Sequence, residues 1–261
     1  MREKTPIVAV GQSNEDSGER VMTTLAIDQS PCGACGLQSA CLFHALAPSG
    51  ITTHYQAGAE IVRKFTPNTG VHVVCKGVVA VSESETAQRD SVLNVVSAGG
   101  MLGVVECCLD LRRYHFSARA LTDAMITFFP QSDVQTVCRD HAGAMKILAE
   151  ICGAFRQLER RYVLLDAAEA SDRLIATLLW LSLMDENASS KSATIPFEMT
   201  NSMLSSLIGA RPETVARLMS QFYTAQLIDY VDRRVVVIDR AGLKSRSSSD
   251  LSHMHIDPVV S

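Results

Sequence analysis

The sequence predicts an α+β chain: an N-terminal antiparallel β-roll, one long helix that pairs with a copy of itself, and a C-terminal winged helix-turn-helix. Between about 45 and 135, β-branched runs are interrupted by glycines at 58, 70, 77, 99, 100 and 103, the punctuation of an antiparallel roll or barrel. From His141 to Leu165 the apolar period changes to a heptad. Near the C-terminus, two helical stretches flank Gly209-Ala210, the pattern of a helix-turn-helix.

The elements follow in chain order. Residues 1–30 are polar without sustained period and read as disordered, with a linker-like stretch from Gly11 to Gly18. Residues 31–136 hold a cysteine loop and then the roll. Its clearest strand signal is Val71 to Val81, broken by Gly77, followed by Val92 to Val96 and the Gly99-Gly100 turn. Residues 137–169 form the long helix. His141, Ala144, Leu148, Ile151, Phe155, Leu158, Tyr162 and Leu165 alternate in steps of three and four, an a/d seam. A seam this narrow favours a homodimer over a core helix, with Leu148, Ile151, Phe155, Leu158, Tyr162 and Leu165 as the contact set. Residues 170–242 are the winged helix-turn-helix unit. Its first helix starts near Ser171, with Ser171-Asp172 as the capping signal and Leu174, Leu178 and Leu181 on one face. Residues 243–261 read as a flexible polar tail.

Composition narrows the function classes. The chain has 261 residues, 47% of them hydrophobic but only 5% aromatic, so a core is possible and must be aliphatic. The net charge of −4 gives no global signal for a polyanion, while residues 200–246 carry a local balance of +3. The first thirty residues lack an apolar signal region and no apolar run is long enough to span a membrane, so a cytoplasmic protein without membrane partners is expected. In that compartment the eight cysteines are metal ligands, redox centres or buried small hydrophobes rather than a disulfide framework. An enzyme is not expected: there is no glycine-rich phosphate loop, nucleophile elbow or His-Glu metalloprotease motif, and His44, His54, His72, His115 and His141 are scattered.

Two constellations carry chemistry. Cys32, Cys35 and Cys41 lie in a C-x2-C-x5-C loop preceded by Pro31. Three soft thiolates on a short loop can converge on one metal centre or iron–sulfur cluster; a structural zinc site, or a metal-free switch with a Cys32–Cys35 disulfide, fits the same residues. In the second, Thr200 caps a helix over 201–208, Gly209-Ala210 turns the chain, and Pro212 opens the next helix. Val215, Leu218, Met219 and Phe222 form its buried face; Glu213, Ala216, Arg217, Ser220 and Gln221 form the other. Arginine can donate two bonds to guanine and glutamate can accept from cytosine, so the face suits the major groove. The candidate DNA contacts are Arg211, Glu213, Thr214, Ala216, Arg217 and Ser220, with Arg233 and Arg234 at a basic hairpin tip over 229–238 that would meet phosphate.

With these residues in hand, the chain over roughly 32–240 resembles the Crp/Fnr family of bacterial transcription regulators, and within it the FNR-type iron–sulfur branch. Val73 to Val81 resembles the family's β-roll strand pair around a glycine, Gly99 to Gly103 its later glycine turn, and Arg211 to Arg217 its recognition helix. The roll is thus similar to a cyclic-nucleotide-binding domain in fold. The resemblance implies a homodimer on two-fold symmetric double-stranded DNA, RNA polymerase as a partner, and a 4Fe-4S cluster responding to oxygen, nitric oxide or redox state.

The chain departs from that branch at named positions. Thr127 stands where the branch carries its fourth cysteine, and a hydroxyl is a poor partner for soft iron. Cys107 and Cys108 are the first choices for a replacement, Cys138 and Cys152 weaker ones, and Cys75 reads as core. Ala216 replaces a serine usual in the branch, which Arg211 would offset. Cyclic nucleotide is not expected as a ligand: Val104-Val105 follow Gly103, and Phe116 precedes Ser117, where nucleotide-binding members of the family carry charge.

Overall fold

The structure is a computed structural model that describes residues 23–24, 41, 49–84, 92–167, 169–185, 189 and 191–247. Nearly all of the predicted disordered N-terminus, Cys32, Cys35, and the tail beyond 247 lie outside the described residues. The roll is built from β1 (Thr23–Thr24), β2 (Ile51–Tyr55), β3 (Glu60–Val62), β4 (Gly70–Lys76), β5 (Val79–Ser82), β6 (Val92–Val96), β7 (Met101–Leu102), a one-turn helix α1 (Val104–Cys108), β8 (Ser117–Ala120) and β9 (Ala124–Pro130). One sheet has the order β1-β2-β9-β4-β7 and the other β3-β8-β5-β6. Every pairing is antiparallel. Gly77 explains why the long β-branched run divides into β4 and β5. It has φ +90°, and a Cβ there would fall 2.4 Å from the Asp123 carbonyl oxygen.

Strand β4 is buried on both faces and so joins two cores. Val74 packs with Tyr55, Val79, Leu102 and Ile126 inside the roll. Val71 and Val73 face outward, where Phe129 and the helices after the roll cover them.

The helix expected over 137–169 is two helices, α2 (Gln131–Arg139) and α3 (His141–Ala167). Asp140 makes the break. Its backbone is extended, and its carboxylate accepts from the Gly143 N–H at 2.9 Å. An aspartate in that role caps a new helix rather than continuing the old one. The heptad register that begins at His141 therefore coincides with the true helix start.

The C-terminal unit comprises α4 (Ala170–Leu181), β10 (Ala193–Glu198), α5 (Asn201–Ile208), α6 (Pro212–Thr224), β11 (Ile228–Val231), β12 (Arg234–Val237) and α7 (Arg240–Ser245). Its sheet order is β10-β12-β11. Leu174, Leu178, Ile208, Val215, Phe222 and Val237 share one core, which also takes in Val78, Ala80, Val92 and Val95 of the roll. The winged unit is thereby seated on the β3-β8-β5-β6 sheet.

Two expectations are corrected. Asp172 does not cap α4: it is 1% exposed and accepts from the Ser247 hydroxyl at 2.9 Å. The polar tail does not begin at 243, because Leu243 is fully buried inside α7, which Asp239 caps by accepting from the Gly242 N–H.

Candidate nucleic-acid interface and cysteine patch

The helix-turn-helix follows from local chemistry. The Thr200 hydroxyl accepts from the Met203 N–H at 3.0 Å, satisfying a donor left orphaned at the start of α5. Gly209 ends that helix in the left-handed region at φ +61°, and the Ala210 N–H returns to the Ser205 carbonyl. Arg211 stays extended before Pro212, which opens α6 at a position where a missing N–H costs nothing.

Helix α6 buries Val215, Leu218, Met219 and Phe222. Arg211, Glu213, Ala216, Arg217 and Ser220 are exposed, and Thr214 is half-buried beside them. No ion pair ties Glu213 to Arg217 among the described residues, so the ion-paired solvated face that would explain this pattern without DNA is not formed. The wing turns through Asp232 and Arg233, both at positive φ, as a two-residue hairpin requires. Arg233 lies 3.6 Å from Glu198, with its side chain 83% exposed, a contact too solvated to hold it back from phosphate. Arg234 is exposed and lines a cavity of about 360 Å³ between roll and wing, together with Arg119, Asp123 and Asp232. The sequence does not single out Arg119, whose Nε is buried with no hydrogen-bond partner among the described residues.

Along α3 most of the predicted seam is exposed. Leu148, Phe155, Leu158, Tyr162 and Leu165 are exposed, Tyr162 by 72%. Ile151 is partly covered by the outward core of the roll, and Ile147, one step off the seam, is buried in it. A core helix would show the reverse. At the far end of α3, the Leu165 carbonyl accepts from Arg173, and a Cβ added at Gly209 would lie 3.0 Å from Leu165 Cδ2. The end of the seam thus touches the turn of the helix-turn-helix.

The cysteines divide by environment. Cys41, the described member of the loop, is half-buried against the outward core of Val71, Val73, Phe129, Val134 and Ile147, and so is Cys75. Cys107 is buried within that core, where its thiol donates to Asn68 Oδ1 at 3.5 Å and burial pushes it up to about 11. Cys108 is exposed at the end of α1, its thiol raised by partial burial and by nearby Cys138. Cys138 and Cys152 are exposed on α2 and α3. Among the described residues no three His, Cys, Asp or Glu side chains stand close enough to hold a metal, so the structure brings Cys41 onto one patch with Cys75 and Cys107 but does not close a site. Thr127, buried, shares hydrogen bonds with Cys75 Sγ at 3.1 Å and with the Thr52 hydroxyl at 2.9 Å.

This geometry has relatives. Residues 52–141 match the cyclic nucleotide-binding domain, and residues 172–246 match the Crp-like helix-turn-helix domain. The two lie in the order, and at the places, of the roll and the winged unit. The chain belongs to the Crp/Fnr family of transcription regulators. Among solved structures it is similar to FixK2 from Bradyrhizobium japonicum, at 22% identity over 77% of this chain and 98% of that one, with a TM-score of 0.63. A CRP/FNR family regulator from Thermus thermophilus aligns at 21% identity over 74% and 96% of the two chains, with a TM-score of 0.61. A curated relative, the HTH-type transcriptional regulator ycf28 of Porphyra purpurea, is 19% identical over 71% of this chain and 78% of its own.

This Crp/Fnr regulator is therefore a DNA-binding protein whose relatives are regulators and not enzymes. No helix among the described residues is long and apolar enough to cross a membrane. In its roll, His72 packs against Phe128 and Tyr114, with ring centroids 5.0 and 5.9 Å away, and burial lowers its pKa to about 4. The unfolded chain takes up that proton near pH 6.5, while the folded roll resists it. Stability is expected to fall by roughly 2–3 kcal/mol as pH drops through 6.5 towards 4, then to level off. Urea denaturation at pH 7, 5 and 4 checks this: a His72→Phe variant loses that part of the slope.

Proposed function

We propose that this Crp/Fnr regulator is a homodimer that senses oxygen, nitric oxide or redox state through a 4Fe-4S cluster on its N-terminal loop and transmits that state to a two-fold symmetric operator. One observation carries the reading: Cys41, the last cysteine of the C-x2-C-x5-C loop, lies on the same apolar patch as Ile147 and Ile151, at the base of the exposed seam of α3. The donor set suits the group, since thiolates are soft and the patch is apolar. Cys32, Cys35 and Cys41 would hold the cluster, with a further cysteine from the body of the protein; Cys107 and Cys108 are the sequence-based candidates.

A bound cluster supplies a centre that oxidants attack and dismantle. The chain does the rest. Cys41 anchors the loop against Val71, Val73 and Ile147, which fixes the first turns of α3. The seam residues from Leu148 to Leu165 pair with a second copy. At its end Leu165 abuts Gly209, so the pairing sets the spacing of the two α6 helices at about one DNA turn. Arg217 and Glu213 meet base edges, and Arg233 and Arg234 meet phosphate. RNA polymerase is the partner a regulator so placed would address.

Cyclic nucleotide has no part in this reading. Behind Gly103 comes the buried Val104, and the Ser117 hydroxyl is engaged by the Ser84 carbonyl and the Lys64 N–H. The test is anaerobic purification with iron and sulfide analysis of the wild type and of Cys35→Ser. About four irons and four sulfides per chain are expected in the first, and a large loss of both in the second. A colourless zinc protein, or unchanged iron in Cys35→Ser, would overturn the reading.

A further inference from the structure

We infer that the cavity between roll and wing binds a small organic anion, one carrying a carboxylate or phosphate with hydroxyl or amino groups beside it. Two arginines line it, Arg119 from β8 of the roll and Arg234 from β12 of the winged unit. In the ladder Arg119 stands between Glu60 of β3 and Ala80 of β5, so the three share one face of the sheet. Ala80 packs into the core of the winged unit, so that face is the one turned towards it. Glu60 is the natural partner for Arg119, but its carboxylate accepts from Arg63 Nε at 2.8 Å. Arg119 is left with no ion pair among the described residues, and with Nε buried and unpartnered among them. Arg234 repeats the pattern. It lies opposite Glu198 in the ladder of β10 with β12, yet Glu198 is 3.6 Å from Arg233 instead.

A guanidinium taken out of water needs an acceptor, and its planar fork fits the two oxygens of a carboxylate or phosphate. Asp123 also lines the cavity, but it accepts from the Ala57 N–H at 2.9 Å and forms no ion pair with either arginine among the described residues. Together with Glu198 and Asp232 it makes the rest of the rim an acceptor surface, which favours hydroxyl or amino donors on the remainder of the ligand. A volume of about 360 Å³ is that of a small-molecule site rather than of one or two waters. The cavity lies outside the roll, whose interior is filled by Tyr55, Val74, Val79 and Ile126. Arg119 is firmly rooted there, because Ala118 and Ala120 on either side of it are buried. One arginine belongs to each unit, so an anion held by both ties the wing to the roll. A consequence rests on the reading of Arg234 as a phosphate contact: the anion and DNA compete for that side chain, and each weakens the other's binding by the same factor.

Isothermal titration calorimetry of the full-length protein with inorganic phosphate, glycerol 3-phosphate and malate tests the site. The first probe is the oxyanion alone; the other two add hydroxyl donors to a phosphate and to a carboxylate. One of the organic anions is expected to bind about tenfold or more tighter than inorganic phosphate and to raise the melting temperature. Arg119→Gln and Arg234→Gln are each expected to weaken that binding by about tenfold or more, with Arg119→Lys between Arg119→Gln and the wild type. Circular dichroism checks folding, and if Arg119→Gln does not fold, the exposed Arg234 decides through its own variant. A packing role for Arg119 predicts instead a melting temperature that moves by the same amount with and without the anion. Three probes that all fail to bind, inorganic phosphate bound as tightly as the organic anions, or unchanged binding in either folded glutamine variant overturns the inference. Operator titration with and without the bound anion then reads the coupling. Weaker operator binding in the wild type and no effect in Arg234→Gln are expected. An anion that binds without changing operator affinity leaves the site standing and removes Arg234 from the DNA interface.

Discussion

Replacing Leu158 by glutamate is expected to convert the protein to a monomer and to weaken binding to a two-fold operator by about 10²–10⁴-fold. Leu158 is 62% exposed in the middle of the α3 stripe, between Phe155 at 59% and Tyr162 at 72%. These side chains are exposed among the described residues yet recur at heptad spacing, so in the proposed dimer their partner is the same stripe on another copy. Burying one leucine is worth about 1.5–3 kcal/mol. The variant forfeits that on both helices and sets two carboxylates against each other in the seam. Each winged unit then binds its half-site alone, and the gain from linked half-sites disappears. Sedimentation equilibrium and operator titration read the two effects on the same sample. The side chain faces away from the chain's own cores, so circular dichroism should be unchanged. A dimer that survives the substitution would remove the seam from the account.

Arg217→Ala is expected to cost about 1–3 kcal/mol at each half-site, so roughly 2–6 kcal/mol for the dimer, or about 30-fold to 10⁴-fold in affinity for the cognate operator. The side chain is exposed and without an ion-pair partner among the described residues, while Val215, Leu218 and Met219 hold the helix from its opposite face. The fold should therefore be untouched and binding to unrelated DNA little changed. Arg233→Ala supplies the contrast, with weakening that is nearly uniform across sequences and a salt dependence reduced by about one unit for each phosphate the side chain no longer neutralises. Competition titrations at two salt concentrations separate the two behaviours. If Arg217→Ala weakened all DNA equally, α6 would not be the reading helix.

The parts legible in the sequence are those governed by neighbours in the chain. Thr200, Gly209 and Pro212 act within a turn of themselves, and the bounds of α5 and α6 follow from them. The heptad could be read because its period is local, and Phe155 and Tyr162 on it are exposed rather than part of this chain's own core. What stayed hidden depends on distant partners. Asp172 looks like a cap until Ser247, 75 residues away, arrives to bond it. Asp140 is an ordinary polar residue in the pattern until its carboxylate closes on Gly143 and starts a second helix. Cys75 reads as one more strand residue, and only the pairing of β4 with β9, Val73 opposite Thr127, brings it within 3.1 Å of the Thr127 hydroxyl.

Whether one cluster governs operator binding is tested most directly by titrating a single anaerobic preparation before and after brief exposure to air, with iron and sulfide assayed at each step. Operator affinity and dimer mass are expected to fall together, in proportion to the cluster destroyed. Affinity that stays constant while the iron disappears would contradict it.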